Sequence, residues 1–206
     1  MKENTVLLSL AHIEDMSESL QYPMDDYLRS FKDELRRKES ILARIELNRL
    51  CHIFFYTSLE KMNFHKSPEG KPLLSSGYCS ISHCKGLVFV AVSNNAIGVD
   101  IERFEQEELS ALEIAFRPFE WEEIKNDDKE IVRRFSQKEA LSKLRGTGFL
   151  QDPIHIEQSY QEKTIQYNLK TGENENFVLT VCTSENTLIE FENSNKFRTF
   201  VRHYEH

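Results

Sequence analysis

The chain has 206 residues, of which 34 are acidic and 26 basic, so its formal net charge is −8. Hydrophobic residues at 39% and charged residues at 29% are typical of a soluble globular protein and argue against a disordered or membrane protein. No apolar run approaches the roughly 20 residues of a membrane-spanning helix, so we expect no membrane association. The acidic balance also argues against general binding to nucleic acid, which depends on phosphate neutralisation.

The beginning of the chain and its cysteines indicate the compartment. The stretch "MKENTVLLSLAHIED" has a short, interrupted apolar part and no small-residue cleavage site, so it is read as a strand and not as a signal peptide. The cysteines show no C-x-x-C spacing. Cys79, His83 and Cys84 could suggest zinc, but reduced and mostly buried thiols are the simpler interpretation. We therefore predict a cytoplasmic protein.

The first half of the chain predicts a strand, a long helix and then more strands. Alternation over residues 4–13 indicates a strand, and residues 26–59 lack Gly and Pro and repeat apolar positions at helical spacing. "HKSPEGKPLL" is read as a loop. Three strand-like runs follow, "YCSISHC", "GLVFVAVS" and "IGVDIE", of which the first two are joined closely enough for a hairpin.

The second half repeats this order, helices before strands. "EELSALEIAF" and "PFEWEEIKN" predict short helices, and Pro118 suits the first turn of the second. "DDKEIVRRFSQKEALSKLRG" predicts a longer helix with Asp127 or Asp128 as N-cap and Gly146 as C-cap. The runs "IHIEQSY", "TIQYNLK", "FVLTVCT" and "LIEFE" predict strands. The sequence therefore predicts an α+β fold of two similar lobes, residues 1–95 and 96–206.

Two carboxylates lie on alternate residues of the strand "IGVDIE". Asp100 and Glu102 face one side of this strand, whereas Val99 and Ile101 face the other. Two like charges so close repel each other, and a hard divalent cation with oxygen ligands, Mg²⁺ or Mn²⁺, would relieve the repulsion. A solvated acidic face is the alternative interpretation.

The longer helix carries a third acid beside a lysine. Glu139 lies roughly 20° from Val132 and roughly 40° from Phe135 around the helix axis, so it lies on the apolar side. A carboxylate in that position needs a partner, because burying it alone is costly. Lys143 follows at i+4, so Glu139 is either a member of a surface ion pair or a third metal ligand.

Other residues are weaker candidates for binding an anionic ligand. Lys71 lies in the "GKP" loop, and Ser82 and His83 lie at the end of a strand-like run. Each of these signals is weak when taken alone.

Taken in order, these segments resemble the 4′-phosphopantetheinyl transferases of the surfactin-synthetase-activating type. The family pattern G-K-P, S-H-[SC], G-[IV]-D-x-E and W-x-x-K-E-[AS]-x-x-K corresponds here to "GKP", "SHC", "GVDIE" and "FSQKEALSK". The match extends from Gly70 to Gly148, with Phe135 in place of the usual tryptophan. The ordered set is specific, although no single piece is.

The resemblance implies a monomer with pseudo-twofold lobes and an active site in the cleft between them. The enzyme would move phosphopantetheine from coenzyme A to a serine of an acyl or peptidyl carrier protein and release adenosine 3′,5′-bisphosphate. Carried over by motif, the metal ligands are Asp100, Glu102 and Glu139, and the catalytic residues are Glu139 and Lys143. The residues expected to contact coenzyme A are Lys71, Ser82, His83, Lys138, Lys143 and Arg44. Arg44 is chosen for the 3′-phosphate, with Arg37 as the alternative.

Two other functions share some of these features. A two-metal nuclease can also carry D-x-E on a strand followed by a distant acid, but it would be expected to show a basic track for its substrate. A non-catalytic module that binds coenzyme A or a carrier protein would be expected to lack one of the three acids. The sequence favours the transferase.

Overall fold

The computed structural model describes residues 4–17, 22–68, 70–105, 108–147, 153–159, 161–171, 176–184, 187–192 and 202–205. The helices are α1 Asp26–Ser30, α2 Glu34–Phe55, α3 Pro118–Ile124 and α4 Asp128–Arg145, with 3₁₀ segments at Ile13–Asp15, Leu109–Ala115 and Pro153–His155. The strands are β1 Thr5–His12, β2 His65–Lys66, β3 Pro72–Leu73, β4 Tyr78–Cys84, β5 Leu87–Ser93, β6 Ile97–Arg103, β7 Glu162–Lys170, β8 Asn176–Ser184, β9 Leu188–Phe191 and β10 Arg202–Glu205. The predicted α+β class is confirmed.

The first four-stranded sheet has the order β4-β5-β1-β9. β5 pairs antiparallel with both β4 and β1, as the predicted hairpin requires, whereas β9 pairs parallel with β1. Helix α2 covers one face of this sheet with Leu42, Ala43, Leu47 and Leu50. The second half of the chain thus supplies a strand to the sheet of the first half, and the division at residues 95 and 96 stays a prediction.

The second four-stranded sheet has the order β10-β7-β8-β6, and its neighbours are all antiparallel. Helix α4 packs on it through Ala140, Leu141 and Leu144, which meet Cys182 of β8. The ends of α4 are as predicted: the Asp127 side chain accepts hydrogen bonds from the first turn, and Gly146 adopts a left-handed conformation at φ 74°.

The main core lies between the two sheets. Leu8 and Phe89 of the first sheet pack with Val99, Ile101 and Val181 of the second. The layers are therefore α2, first sheet, second sheet and α4, which explains why most of β1 is buried on both faces despite its alternating sequence. Among the described residues, no helix combines the length and apolar character needed to span a membrane.

Four predicted elements differ from the structure. The first is the "HKSPEGKPLL" loop, in which His65–Lys66 and Pro72–Leu73 pair as the short strands β2 and β3. The helix predicted over residues 26–59 is two helices, because the side chain of Asp33 caps the start of a second helix, α2. Helix α2 ends before the predicted residue 59, where Tyr56 adopts a left-handed conformation. "EELSALEIAF" forms a 3₁₀ segment over Leu109–Ala115 and not an α-helix. "IHIEQSY" is not a strand over its described residues 154–159, which continue from the 3₁₀ turn Pro153–His155 without strand pairing.

Candidate functional site

The acidic pair lies on the face of β6 that α4 covers. Val99 and Ile101 are in the core between the sheets, so Asp100 and Glu102 face the other way, as predicted. Asp100 is 1% exposed. Its Oδ1 accepts a hydrogen bond from Ser82 Oγ at 2.8 Å and another from Lys143 Nζ at 2.6 Å. Its Oδ2 is buried and has no hydrogen-bond partner among the described residues.

Helix α4 brings its candidate site residues over β6 because Gly98 lets the two backbones come close together. A Cβ atom at Gly98 would lie 1.9 Å from the Ala140 carbonyl oxygen and 2.5 Å from the Leu144 nitrogen, which no side chain could tolerate. Glu139 and Lys143, one turn apart on α4, are thereby held above Asp100. Lys143 Nζ lies 3.9 Å from Glu139 Oε2 and donates to Ser82 Oγ at 3.0 Å.

The electrostatics of this cluster are those of crowded, buried carboxylates. Burial, followed by the charges of Asp100 and Glu139, raises the pKa of Glu102 to about 8. Burial also raises the pKa of Glu139 to about 7, with Asp100 adding to the effect and Lys143 opposing it. Burial alone would lower the pKa of Lys143, but Asp100 and Glu139 together raise it above its usual value. Lys143 is therefore held as a cation among acids that repel one another.

The donor chemistry of this cluster fits a hard divalent cation. Asp100, Glu102 and Glu139 offer only oxygen ligands, and the unpartnered Asp100 Oδ2 is an oxygen that a cation would satisfy. No group of three His, Cys, Asp or Glu side chains within the described part of the chain is close enough together to hold a metal ion by itself. In this arrangement the Lys143 ammonium is the countercharge of the carboxylates.

A cavity of about 200 Å³ opens beside the cluster. Lys71 lines it from the loop before β3, and its Nζ lies 3.3 Å from the Leu144 carbonyl oxygen at the end of α4. Burial lowers the pKa of Lys71 below its usual value. The other polar residues lining the cavity are Ser80, Glu139, Ser142 and Lys143. Lys71 thus lies beside the acidic cluster in the folded protein, which the position of Lys71 in the sequence could not show.

A second cavity, of about 110 Å³, combines aromatic and basic side chains. It shares Gly70, Pro72 and Ile81 with the first cavity, so the two adjoin. The chain further supplies to it Tyr27, Ser40, Ala43, Arg44, Phe64, Lys66 and His83. Adjacent residues of a strand point to opposite sides, which is why Ser82 meets Asp100 whereas His83 lines this second cavity.

The cations of the second cavity lie against its aromatic rings. The Arg44 guanidinium carbon lies 5.6 Å from the centre of the Tyr27 ring and 5.8 Å from that of Phe64. Lys66 Nζ donates to the Tyr27 hydroxyl at 2.6 Å. Arg44 also pairs with Asp25 at 2.6 Å. The sequence prediction missed Tyr27, Phe64 and Lys66, because no local motif distinguishes them from surface residues.

Lys138 is a predicted contact that, like Ser82, does not line either of the two cavities. Its Nζ donates to Glu120 Oε2 at 2.9 Å and lies 5.1 Å from the centre of the Phe116 ring. The side chain is almost fully buried on the side of α4 that faces α3. The expected contact between Lys138 and a phosphate stays a prediction.

Comparison with known proteins finds a family match in the second half of the chain. Residues 96–189 match the family model described as the 4′-phosphopantetheinyl transferase superfamily. This segment contains Asp100, Glu102, Glu139 and Lys143, and the match agrees with the family that the motifs predicted. The surfactin-activating subtype stays a prediction. A search of curated proteins finds no match.

Proposed function

We propose that this chain, residues 96–189 of which belong to the 4′-phosphopantetheinyl transferase superfamily, transfers phosphopantetheine from coenzyme A to a serine of an acyl or peptidyl carrier protein. The observation that carries the proposal is the cluster of Asp100, Glu139 and Lys143 beside two adjoining cavities that are rich in cations. Coenzyme A has two separate phosphate sites, a pyrophosphate and a 3′-phosphate, and the two cavities offer one basic site for each.

The first cavity suits the pyrophosphate. Lys71 and Lys143 both line it, and Lys143 is held by Asp100 and Ser82. Cations fixed in a partly buried site stabilise charge on phosphoryl oxygens without having to reorganise during the reaction. Ser82 donates a hydrogen bond to Asp100 and so helps to keep the Asp100 carboxylate in position in this site.

The second cavity suits the adenosine end of coenzyme A. The faces of Tyr27 and Phe64 offer stacking area for a base, and Arg44, Lys66 and His83 offer donors to a phosphate. Arg44 thereby keeps the role in binding the 3′-phosphate that we assigned from the sequence. Lys66 joins it as a second candidate because it lies on the same ring of Tyr27, 4.0 Å from its centre.

Asp100, Glu102 and Glu139 are the proposed ligands of Mg²⁺, or of Mn²⁺ in its place. Phosphate oxygens of the substrate would complete the ligand set, which the three acids do not form by themselves. When bound, the ion supplies positive charge to the phosphoryl oxygens. Glu139 would accept the proton of the carrier serine as a general base. In the metal-free protein, burial raises the pKa of Glu139 to about 7. The serine oxygen then forms its bond to the phosphorus that bears pantetheine, and the bond from that phosphorus to the bridging oxygen breaks. Adenosine 3′,5′-bisphosphate leaves with that oxygen.

We further propose that the enzyme acts as a monomer in the cytoplasm, where its four cysteines would stay reduced. None of Cys51, Cys79, Cys84 and Cys182 forms a disulfide, which agrees with that proposal. A carrier protein rich in acids would need a local basic surface on this acidic chain. Arg133, Arg134 and Arg145 of α4 are candidates for it.

A transfer assay tests the proposed function. We expect a fluorescent coenzyme A conjugate and Mg²⁺ to label at least one member of a panel of acyl and peptidyl carrier proteins. The same carrier with its acceptor serine changed to alanine is the control and should stay unlabelled. Asp100→Asn should abolish labelling. If no carrier is labelled although the wild-type protein binds coenzyme A, the proposed transfer is wrong and a binding module is favoured; cleavage of nucleic acid would favour the nuclease.

A further inference from the structure

Glu39 of α2 is a buried carboxylate that neither the family motifs nor the proposed chemistry uses. It is 3% exposed, although it lies on a helix whose first turns are largely in solvent. A carboxylate buried in this way is costly unless hydrogen bonds compensate for its lost hydration. The partners of Glu39 therefore indicate why it is there.

Both carboxylate oxygens of Glu39 point to the hairpin of β4 and β5. Oε1 accepts the Gly86 backbone N–H at 2.7 Å, and Oε2 lies 2.9 Å from Nδ1 of His83. Burial would raise the pKa of Glu39, but His83 and the Gly86 N–H together bring it below its usual value. Glu39 is thus an anion that the Gly86 N–H and His83 hold in place, and its carboxylate orients the imidazole ring of His83.

This contact leaves Nε2 as the ring nitrogen of His83 that a ligand can reach. The His83 side chain is 38% exposed and lines the second cavity together with Arg44 and Lys66. An imidazole that donates from Nδ1 to a carboxylate can donate to a second anion only from Nε2, with a proton on both nitrogens. With the Glu39 carboxylate at Nδ1, the His83 ring is oriented to donate from Nε2 to an anionic ligand in the second cavity.

We propose that Glu39 is a positioning residue, which holds the His83 ring so that Nε2 donates a hydrogen bond to the 3′-phosphate of coenzyme A. This inference rests on the proposed function. The arrangement resembles the carboxylate that orients a histidine in many ligand sites, where the partner of one ring nitrogen decides what the other can do. Arg44 and Lys66 supply charge to the same phosphate, and Glu39 supplies orientation.

A purely structural role for Glu39 is the competing explanation, because its bond to Gly86 also holds the β4–β5 turn. Gly86 lies in the β4–β5 turn with φ at 86°, and its N–H bonds to Glu39. Loss of this hydrogen bond would loosen the turn. The two roles differ in one respect. Loosening the turn would affect every substrate alike, whereas positioning His83 matters only when the substrate carries a 3′-phosphate.

The experiment compares coenzyme A with 3′-dephospho-coenzyme A in the wild-type enzyme, Glu39→Gln, His83→Ala and the double variant. We expect Glu39→Gln to raise KM for coenzyme A about 10-fold, the lower range for a hydrogen bond to a charged group, with kcat little changed. KM for the dephospho compound should not change. In the His83→Ala background, Glu39→Gln should have no further effect, since the two residues act as one unit.

Glu46→Gln is the matched control. Glu46 lies two turns further along α2, is nearly as buried, and bonds to Ser9 and Arg49 away from the second cavity. Its substitution should lower stability without changing KM for either substrate. Equal increases of KM for both substrates in Glu39→Gln, or additive effects in the double variant, would overturn the positioning role.

A second measurement decides the inference even if transfer is not the activity. In nitrogen-15 spectra of the wild-type protein we expect His83 to carry a proton on Nδ1, and a change at that nitrogen in Glu39→Gln. Titration with adenosine 3′,5′-bisphosphate should shift the Nε2 resonance of the wild-type protein, with weaker affinity in Glu39→Gln. Unchanged His83 resonances on adding the nucleotide would reject the contact, whereas failure of transfer with these shifts present would reject only the proposed function.

Discussion

Lys143 Nζ lies 2.6 Å from Asp100 Oδ1, so a lysine of α4 neutralises the most buried acid of β6. The two residues are 43 positions apart in the chain. Breaking a buried ion pair by removing one partner is strongly destabilising, because the other charge is left without compensation. The pair therefore links the stability of the fold to the charge state of the site.

Lys143→Met tests this link. We expect the metal-free protein to lose about 2 kcal/mol of unfolding free energy, less than for a fully buried pair because Lys143 is partly exposed. Saturating Mg²⁺ should restore part of that loss, since the cation replaces the missing charge beside Asp100. Urea unfolding with and without Mg²⁺ measures both. Lys138→Met, which breaks the buried pair with Glu120 on the other side of α4, is the control and should show no recovery with Mg²⁺.

The raised pKa values predict a pH dependence of the metal-free protein. Burial and neighbouring acids raise the pKa of Glu102 from 4.5 to about 8. The folded protein then keeps a proton that the unfolded chain loses above its ordinary pKa, so stability falls as pH rises through this range. In EDTA, unfolding free energy should be lower at about pH 8.5 than at about pH 6. Glu102→Gln should flatten this decline, whereas Glu34→Gln in an exposed pair should not. A wild-type protein that is more stable at the higher pH would contradict the prediction.

Glu139→Gln separates the two roles proposed for that residue. The amide keeps the shape and one oxygen but cannot accept the serine proton, so we expect coenzyme A to bind while transfer falls at least ~10²-fold. Isothermal titration measures binding, and single-turnover labelling measures transfer. Glu130 is a partly exposed residue of the same helix and pairs with Arg134, so Glu130→Gln should retain activity. Full recovery of Glu139→Gln at saturating Mg²⁺ or Mn²⁺ would eliminate the base role and leave only metal binding.

Gly98→Ala should separate α4 from β6. Its Cβ would lie 1.9 Å from the Ala140 carbonyl oxygen, so the helix must move, and we expect a loss of about 3 kcal/mol in stability. Activity should fall even well below the unfolding temperature, because Glu139 and Lys143 move with the helix. Val99→Ala, the next residue, leaves a cavity in the core between the sheets and costs about 2 kcal/mol without moving α4. Near-normal transfer by Gly98→Ala would show that the site does not depend on this close approach.

Local patterns were sufficient to predict the elements that carry the candidate site. The alternation around Asp100 and Glu102 predicted their shared face, and the caps Asp127 and Gly146 predicted both ends of α4. These features depend on periods of two and 3.6 residues and on backbone conformation at single positions, which neighbouring residues determine. The helix boundary at Asp33 was not predicted, because the helical spacing of apolar residues continues across this N-cap and favours one continuous helix.

The tertiary structure decided which distant side chains meet. The bond of Lys143 to Asp100, the approach of Lys71 to the end of α4, and the contact between Glu39 and His83 each join separate elements. The sequence indicated Lys71 and Lys143 through motifs, and it placed Glu139 one turn from Lys143. It did not indicate the contact of Lys143 with Asp100 or that of Lys71 with the end of α4, and it did not indicate Glu39 at all. The sequence also did not predict that β9 pairs with β1. Contacts between residues far apart in the chain leave no local period, because they depend on how two sheets and two helices stack around one core.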